Sequence, residues 1–489
     1  MAVDAPLVSY YAHSMSCEET QMTTLRFHGG PAVLLIPVLL FVTLTAYLFI
    51  FKTAFDLTGL AAAGVVTLFT GSLLAKSPTD YWKAAIRGAS SELTGTVVLI
   101  LLASGIFSAM MKASGLADGL VYLGSLFDLT GSRFTVFVFL ATSLIATATG
   151  SSIGTILAAM PIFFPAGVAL GADPALLAGA VLSGAIFGDN LAPVSDVTVI
   201  SSLTQRFANG RPADVPGVVR TRLPYALMAV VLSLPLYALL GTDRPVNTAV
   251  LTGDPTALFM LIPVGILIAV AMKSRDVMLA ISIGIASGAL IGLMTGRLPL
   301  DAIFAVTDGQ LGGFLINGIT NVSPIILLCV TLFAFTGVVE AANVTSTLTE
   351  RLLANHQSSS KRAEIMLATA TIAVTTLFAG VTSAAVALVG GLTNDAVHAA
   401  GVHPYRRSHI LSGMANSLPV LAPFSAFVLI TMAALSGLNG AEVITPFTLM
   451  TAAFYPLMLF IVFAVAIVTG LGRDMTIEPL TQKLKGELA

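Results

Sequence analysis

Charge is scarce in this chain of 489 residues: Asp, Glu, Lys and Arg together make up 10% of it, against about 25% in soluble domains. The formal net charge is −2, so there is no excess of positive charge to hold nucleic acid. There are two cysteines, Cys17 and Cys329, far apart. Their number and spacing exclude a disulfide frame and a cysteine metal centre. No Walker A loop, no HExxH and no GxSxG occurs. The lack of an ATP loop points to an ion gradient as the energy source. The expectation is a protein that is not an enzyme and needs no cofactor. What is abundant is apolar: 56% of residues, with a mean hydropathy of +0.93. At this length that composition means a polytopic membrane protein, with lipid as its first partner.

The segment to Gly30 is polar, and an apolar run of full span length follows without a small-residue cleavage site. It reads as a cytoplasmic tail and a retained first helix rather than a signal peptide. Simple spans are expected at 32–51, 57–75, 93–111, 223–240, 257–272, 277–294, 322–339 and 447–468. Two regions, 134–170 and 365–397, are too long for one crossing and carry a Gly-rich polar break in the middle. Each half looks too short to cross alone, so each region reads as a re-entrant helical hairpin. A helix interrupted by proline follows each hairpin, 175–203 around Pro193 and 410–435 around Pro419 and Pro423. Proline removes a donor and clashes with the preceding turn, so these helices should unwind there.

With both termini cytoplasmic and each hairpin returning to its own side, most of the 23 basic residues fall inside. Arg206, Arg222, Lys273, Arg275, Arg406 and Arg407 are among them, which agrees with the positive-inside rule. The hairpins then enter from opposite faces. Gly150, Gly171, Pro174, Ala192, Pro193 and Ser195 recur 230 positions later as Gly380, Gly401, Pro404, Ala422, Pro423 and Ser425. The expected fold is all-α, with about 10 spans plus 2 hairpins in two inverted-topology repeats, 31–245 and 246–472, between tails 1–30 and 473–489. This is a recurring secondary-transporter plan.

The richest stretch is 146–202, ATATGSSIGTILAAMPIFFP followed after a short linker by SGAIFGDNLAPVSDVTVISS. It is apolar enough for lipid, yet holds Asp189 and Asp196 on either side of Pro193. Hydrocarbon tolerates charge and open backbone only where they line a protected cavity. Carboxylates there can hold a proton or bind sodium, which prefers hard oxygen ligands. Ser195, Thr149, Ser151 and Ser152 could supply further oxygens, with Asn190 beside Asp189. A competing use is capping of the second half-helix by Ser195 and Asp196. These segments hold no Lys or Arg, which favours a cation as cargo.

SGAIFGDNLAPVSDVTVISS resembles the FGD…SP-SD signature of the NhaC-type Na+/H+ antiporter family, and TGSSIGT is similar to that family's upstream Ser/Thr-rich segment. The resemblance implies a cell-membrane antiporter exchanging sodium for protons. It would put ion binding on Asp189, Ser195 and Asp196, with Thr149, Ser151 and Ser152 nearby. The motif here reads APVSDVT, so hydroxyls are missing at Ala192 and Val197.

The second hairpin tip offers Thr382 and Ser383, and the second interrupted helix offers Asn416 and Ser425 without a carboxylate. The neutral second half leaves more polar room than a bare ion needs. The alternative reading is therefore a Na+- or H+-coupled carrier of a small organic solute, a carboxylate or amino acid. Carriers of this build are often dimers, and a homodimer is the candidate assembly.

Overall fold

The computed structural model describes residues 25–48, 57–193, 195–241, 254–274, 276–307, 310–343 and 359–473. The expectations for the far N- and C-terminal tails lie outside them. The first part of the chain forms α1 (Leu35–Ala46), α2 (Leu57–Leu74), α3 (Pro78–Ala89), α4 (Glu92–Ala113) and α5 (Leu116–Leu126). A hairpin follows, α6 (Gly131–Thr149) and α7 (Ser152–Ala169). Then come α8 (Pro174–Leu191), α9 (Asp196–Leu203) and α10 (Val215–Leu240). The later part runs through α11 (Leu261–Ser274), α12 (Val277–Met294), α13 (Leu300–Ile303), a short hairpin of β1 (Ala305–Thr307) and β2 (Gln310–Gly312), and α14 (Phe314–Ala341). A second helical hairpin, α15 (Ser360–Leu377) and α16 (Thr382–Ala399), precedes α17 (Pro404–Ala415), α18 (Ala426–Leu435), α19 (Pro446–Ala452) and α20 (Phe454–Thr469).

The chain is thus an all-α polytopic membrane protein, as its composition requires. Six helices among the described residues are long and apolar enough to cross a membrane, or eight if each bent pair counts as one span. The α12 bounds coincide with the expected span. Two expectations need correction. Each hairpin arm was expected to be too short to cross, but α6 and α7 have 19 and 18 residues and each suffices alone. The polar break is confined to Gly150 and Ser151, so the helices keep almost all of the segment. The run 447–468 is not one straight span either, because α19 and α20 meet at 54°. Tyr237 fills that bend: its hydroxyl donates to Ala452 O at 3.1 Å, accepts from Phe454 N at 3.2 Å and lies 2.8 Å from the Ser183 hydroxyl.

Local chemistry sets the breaks. Asp173 accepts from the amides of Ala175 and Leu176 and Pro174 sits in the first turn, which starts α8. Gly150 (φ 70°) and Gly380 (φ 81°) turn the two hairpin tips in the left-handed region, where glycine has no Cβ to clash. Pro193 lies between α8 and α9, and Pro419 and Pro423 lie between α17 and α18, where the chain bends by 52°.

α4 and α14 cross in contact, since a Cβ on Gly105 would come 2.5 Å from the Gly318 carbonyl. Such small-residue crossings are how helices approach without a hydrophobic drive between them. α8 is buried along almost its whole length, which puts its last turn, with Asp189, in the middle of the protein.

Candidate functional site

The C-terminal turn of α8 presents Asp189, which is only 6% exposed. Pro193 has no amide to give to the Asp189 carbonyl, and Thr198 Oγ1 takes that place at 3.4 Å. Ser195 is the N-cap residue of α9, but its hydroxyl makes no cap bond. It donates instead to Asp189 Oδ1 at 2.7 Å. A hydroxyl-to-carboxylate bond of that length is charge-assisted, and it ties the two half-helices together through the acid. Capping therefore does not account for Ser195. Asp196, at the first position of α9, is exposed and stands within electrostatic reach of Asp189. Ser152, the first residue of α7, places its hydroxyl beside Asp189.

Asp189, Asp196 and Ser152 line one chamber of about 530 Å³. Thr149, Gly150, Ser151 and Ser152 of the first tip, Asp189 and Asp196 of the broken helix, and Gly380, Thr382 and Ser383 of the second tip all contribute to it. The apolar wall includes Cys329, Phe333 and Phe427. Ser151 caps α7 through Gly154 N at 3.2 Å and so fixes the tip. Asp276, the N-cap of α12, stands at the edge of the chamber as a third, exposed carboxylate. Among the described residues no group of three or more His, Cys, Asp or Glu is arranged as a metal site.

Three of the expected site residues lie elsewhere. Asn190 does not line the chamber: its amide donates to Tyr455 Oη at 3.0 Å and its carbonyl oxygen accepts from Ser412 at 3.1 Å. Ser425 caps α18 through Val428 N at 3.2 Å and donates to Val420 O at 2.6 Å. Asn416 is fully buried, and neither amide atom has a hydrogen-bond partner among the described residues.

The site's own segments hold no Lys or Arg, but α10 brings one to the break. Arg222 is fully buried. Its guanidinium donates to Asn190 O at 2.6 Å, Ser412 Oγ at 3.0 Å, Thr198 Oγ1 at 3.2 Å and Ser201 Oγ at 3.2 Å. It satisfies a carbonyl freed by the helix break and joins α8, α9, α10 and α17. Arg406 and Arg407, expected in a cytoplasmic loop, are buried in α17. Arg406 pairs with the buried Glu364 at 3.2 Å, and Arg473 completes that pair at 2.9 Å.

The misplacement has a physical reason. α10 starts at Val215, capped by Asp214 with a proline in its first turn, eight residues before the expected 223. The Asp-Val-Pro-Gly sequence at 214–217 is the start signal that could have placed it.

Hairpin tips and interrupted helices enclosing a buried carboxylate are the architecture of a secondary carrier. Residues 16–242, a little under half of the chain, match the model of the Na+/H+ antiporter family.

Its relatives differ in what they exchange. The malate-2H+/Na+-lactate antiporter of Bacillus subtilis is 34% identical over 36% of this chain and 36% of its own length. The Na+/H+ antiporter NhaC of Alkalihalophilus pseudofirmus is 27% identical over 71% of this chain and 76% of its own. The arginine/ornithine antiporter ArcD of Halobacterium salinarum is 26% identical over 57% and 61%. Antiport is common to all three; the cargo is not.

Proposed function

We propose that this protein exchanges Na+ for H+ across the cell membrane by alternating access, with Asp189 as the group that binds one or the other. The supporting observation is the meeting of Asp189, Ser195 and Ser152 at the wall of a chamber that also holds the second tip's Thr382 and Ser383. A carboxylate isolated from water has to be neutralised by a proton or a cation. One site that accepts either, and never neither, couples their movements in opposite directions. Thr149, Ser151 and Asp196 complete the hard-oxygen surroundings. Both termini face the cytoplasm in this reading, and two copies form the working unit.

A second reading, coupled carriage of a small organic solute, is favoured by the size of the chamber. At about 530 Å³ it holds on the order of ten waters, more than a dehydrated ion requires. Two of the relatives are named for carboxylate or amino-acid exchange. Carboxylates and hydroxyls line the chamber, and among the described residues no Lys or Arg does, so the solute that fits best carries a positive charge.

The test is reconstitution in vesicles with an internal pH dye. Addition of sodium, lithium or potassium is expected to drive proton movement without any organic solute. Absence of that movement at every pH tried, together with accumulation of labelled amino acids or dicarboxylates, would replace the first reading by the second.

A further inference from the structure

Three cavities lie in line along α4, α14 and α18. The chamber takes Thr96, Val97 and Ile100 from α4, Cys329 and Phe333 from α14, and Phe427 and Ile430 from α18. One turn further along the same helices, a cavity of only about 10 Å³ is lined by Ser104 and Ser108, Asn321 and Val322, and Ser436, with Leu157 of α7 alongside. Beyond it, a vestibule of about 650 Å³ takes Lys112, Asn317, Gly437 and again Asn321. The two wide spaces reach opposite ends of α12. The chamber includes Asp276 at its N-terminus, and the vestibule includes Asp301 and Gly313 beyond its C-terminus. An 18-residue helix spans about 27 Å.

The small cavity has an unusual lining for a helix contact. At about 10 Å³ it is at the lower limit for a single water. Packing alone would fill it with methyl groups, yet three serines and an asparagine are among the residues that line it. Ser104 is 3% exposed and its hydroxyl has no hydrogen-bond partner among the described residues. A buried unpaired hydroxyl costs about 1–3 kcal/mol, a cost that is understandable if the group meets water or cargo in another conformation.

We infer that this polar neck is the outer barrier of the transport path, and that the cargo leaving the chamber passes Ser104, Ser108, Asn321 and Ser436. The inference rests on the reading of the protein as a carrier. α4 and α14 cannot separate easily, because Gly105 and Gly318 bring their backbones into contact beside the neck. α18 is the wall that can move: it has 10 residues, a helix break before Ser425 and a turn at Ser436 and Gly437 after it. Lys112 of α4 straps that turn by donating to the Gly437 carbonyl. Opening of the neck breaks this strap and swings α18 away from α4 and α14.

The experiment uses the full chain with Cys17→Ser and Cys329→Ala, reconstituted in vesicles. Single cysteines are placed at Thr96 in the chamber and Asn317 in the vestibule, both exposed positions, and a membrane-impermeant maleimide is added to one face at a time. Thr96→Cys and Asn317→Cys should react from opposite faces, each with at least a tenfold preference. Ser108→Trp, which fills the neck, should cut exchange at least tenfold while Thr96→Cys keeps its labelling. Ser108→Leu serves in the same way if the tryptophan variant does not insert. Labelling of both cysteines from the same face, or wild-type exchange with the neck filled, overturns the inference. If the unaltered protein moves no cation, the exchange reading fails, while opposite-face labelling still upholds a barrier between the two spaces.

Discussion

Ser195 and Ser425 stand 230 positions apart, each directly after an Ala-Pro-Val or Ala-Pro-Phe step at a helix break, and their hydroxyls make different bonds. Ser425 accepts from Val428 N and donates to Val420 O, so the second break is closed by its own backbone. Ser195 leaves the amides of α9 alone and donates to Asp189. The neighbours differ in the same sense. Asp196 at the start of α9 corresponds to Ala426 at the start of α18, and Asp189 corresponds to Pro419. At the second tip, Ala426 N bonds Ala379 O at 2.7 Å, which fastens tip to helix by backbone alone. At the first break side chains do the fastening: Thr198 and Arg222 satisfy the carbonyls of Asp189 and Asn190. One break is a self-contained hinge of backbone and cap. The other is held by polar side chains and leaves a buried carboxylate at the wall of the chamber.

The sharpest way to break this comparison is Asp189→Asn. It removes the charge and keeps shape and hydrogen bonding, so exchange should fall at least a hundredfold with inserted, folded protein. The vesicle pH-dye assay reads it, and turnover near wild type would deprive the first break of its special status. Arg222→Met comes next. It leaves Asn190 O and several hydroxyls without their donor, and a buried acceptor left unsatisfied costs about 1–3 kcal/mol. The expected result is a lower detergent melting temperature together with lost exchange. A melting temperature within a degree or two of wild type would show that Arg222 does not brace the break.

A pair of serine substitutions sharpens the contrast. Ser195→Ala should raise the cation concentration needed for half-maximal exchange about tenfold, because a charge-assisted bond to Asp189 is worth about 1.5–3 kcal/mol. Ser425→Ala removes a cap worth about 1 kcal/mol, so it should lower the melting temperature slightly and leave cation dependence unchanged. If the two variants behave alike, the two breaks do the same job.

How far the sequence reveals this difference depends on the range over which each feature is encoded. The breaks at Pro193 and at Pro419 and Pro423 are legible because proline and glycine act on their own turn. The chamber acids are legible because charge within an apolar run is conspicuous. Arg222 is not, since it sits among loop charges in the sequence and its partner Ser412 is 190 positions away. Arg406 is hidden in the same way, with Glu364 on another helix. Positive charge near a span end is read as a loop marker, and only the packed structure shows a buried ion pair instead. The lengths of the first hairpin's arms were misread because its Gly-Ser pair looks like a wide interruption, while two residues suffice to reverse the chain there.

Asn416 gives the smallest effect and tests the comparison from the other side. The resemblance between the halves makes it a candidate ligand, yet its amide sits fully buried with no partner among the described residues. Leucine has the same branched four-atom skeleton and no polar atoms. If the second break is only a hinge, Asn416→Leu removes an unpaired buried amide, whose burial costs about 1–3 kcal/mol. The melting temperature should then rise by a few degrees while cation dependence stays unchanged. A loss of cation affinity in this variant would mean that the amide meets an ion during the cycle, and the second half would then share the binding that the comparison assigns to the first.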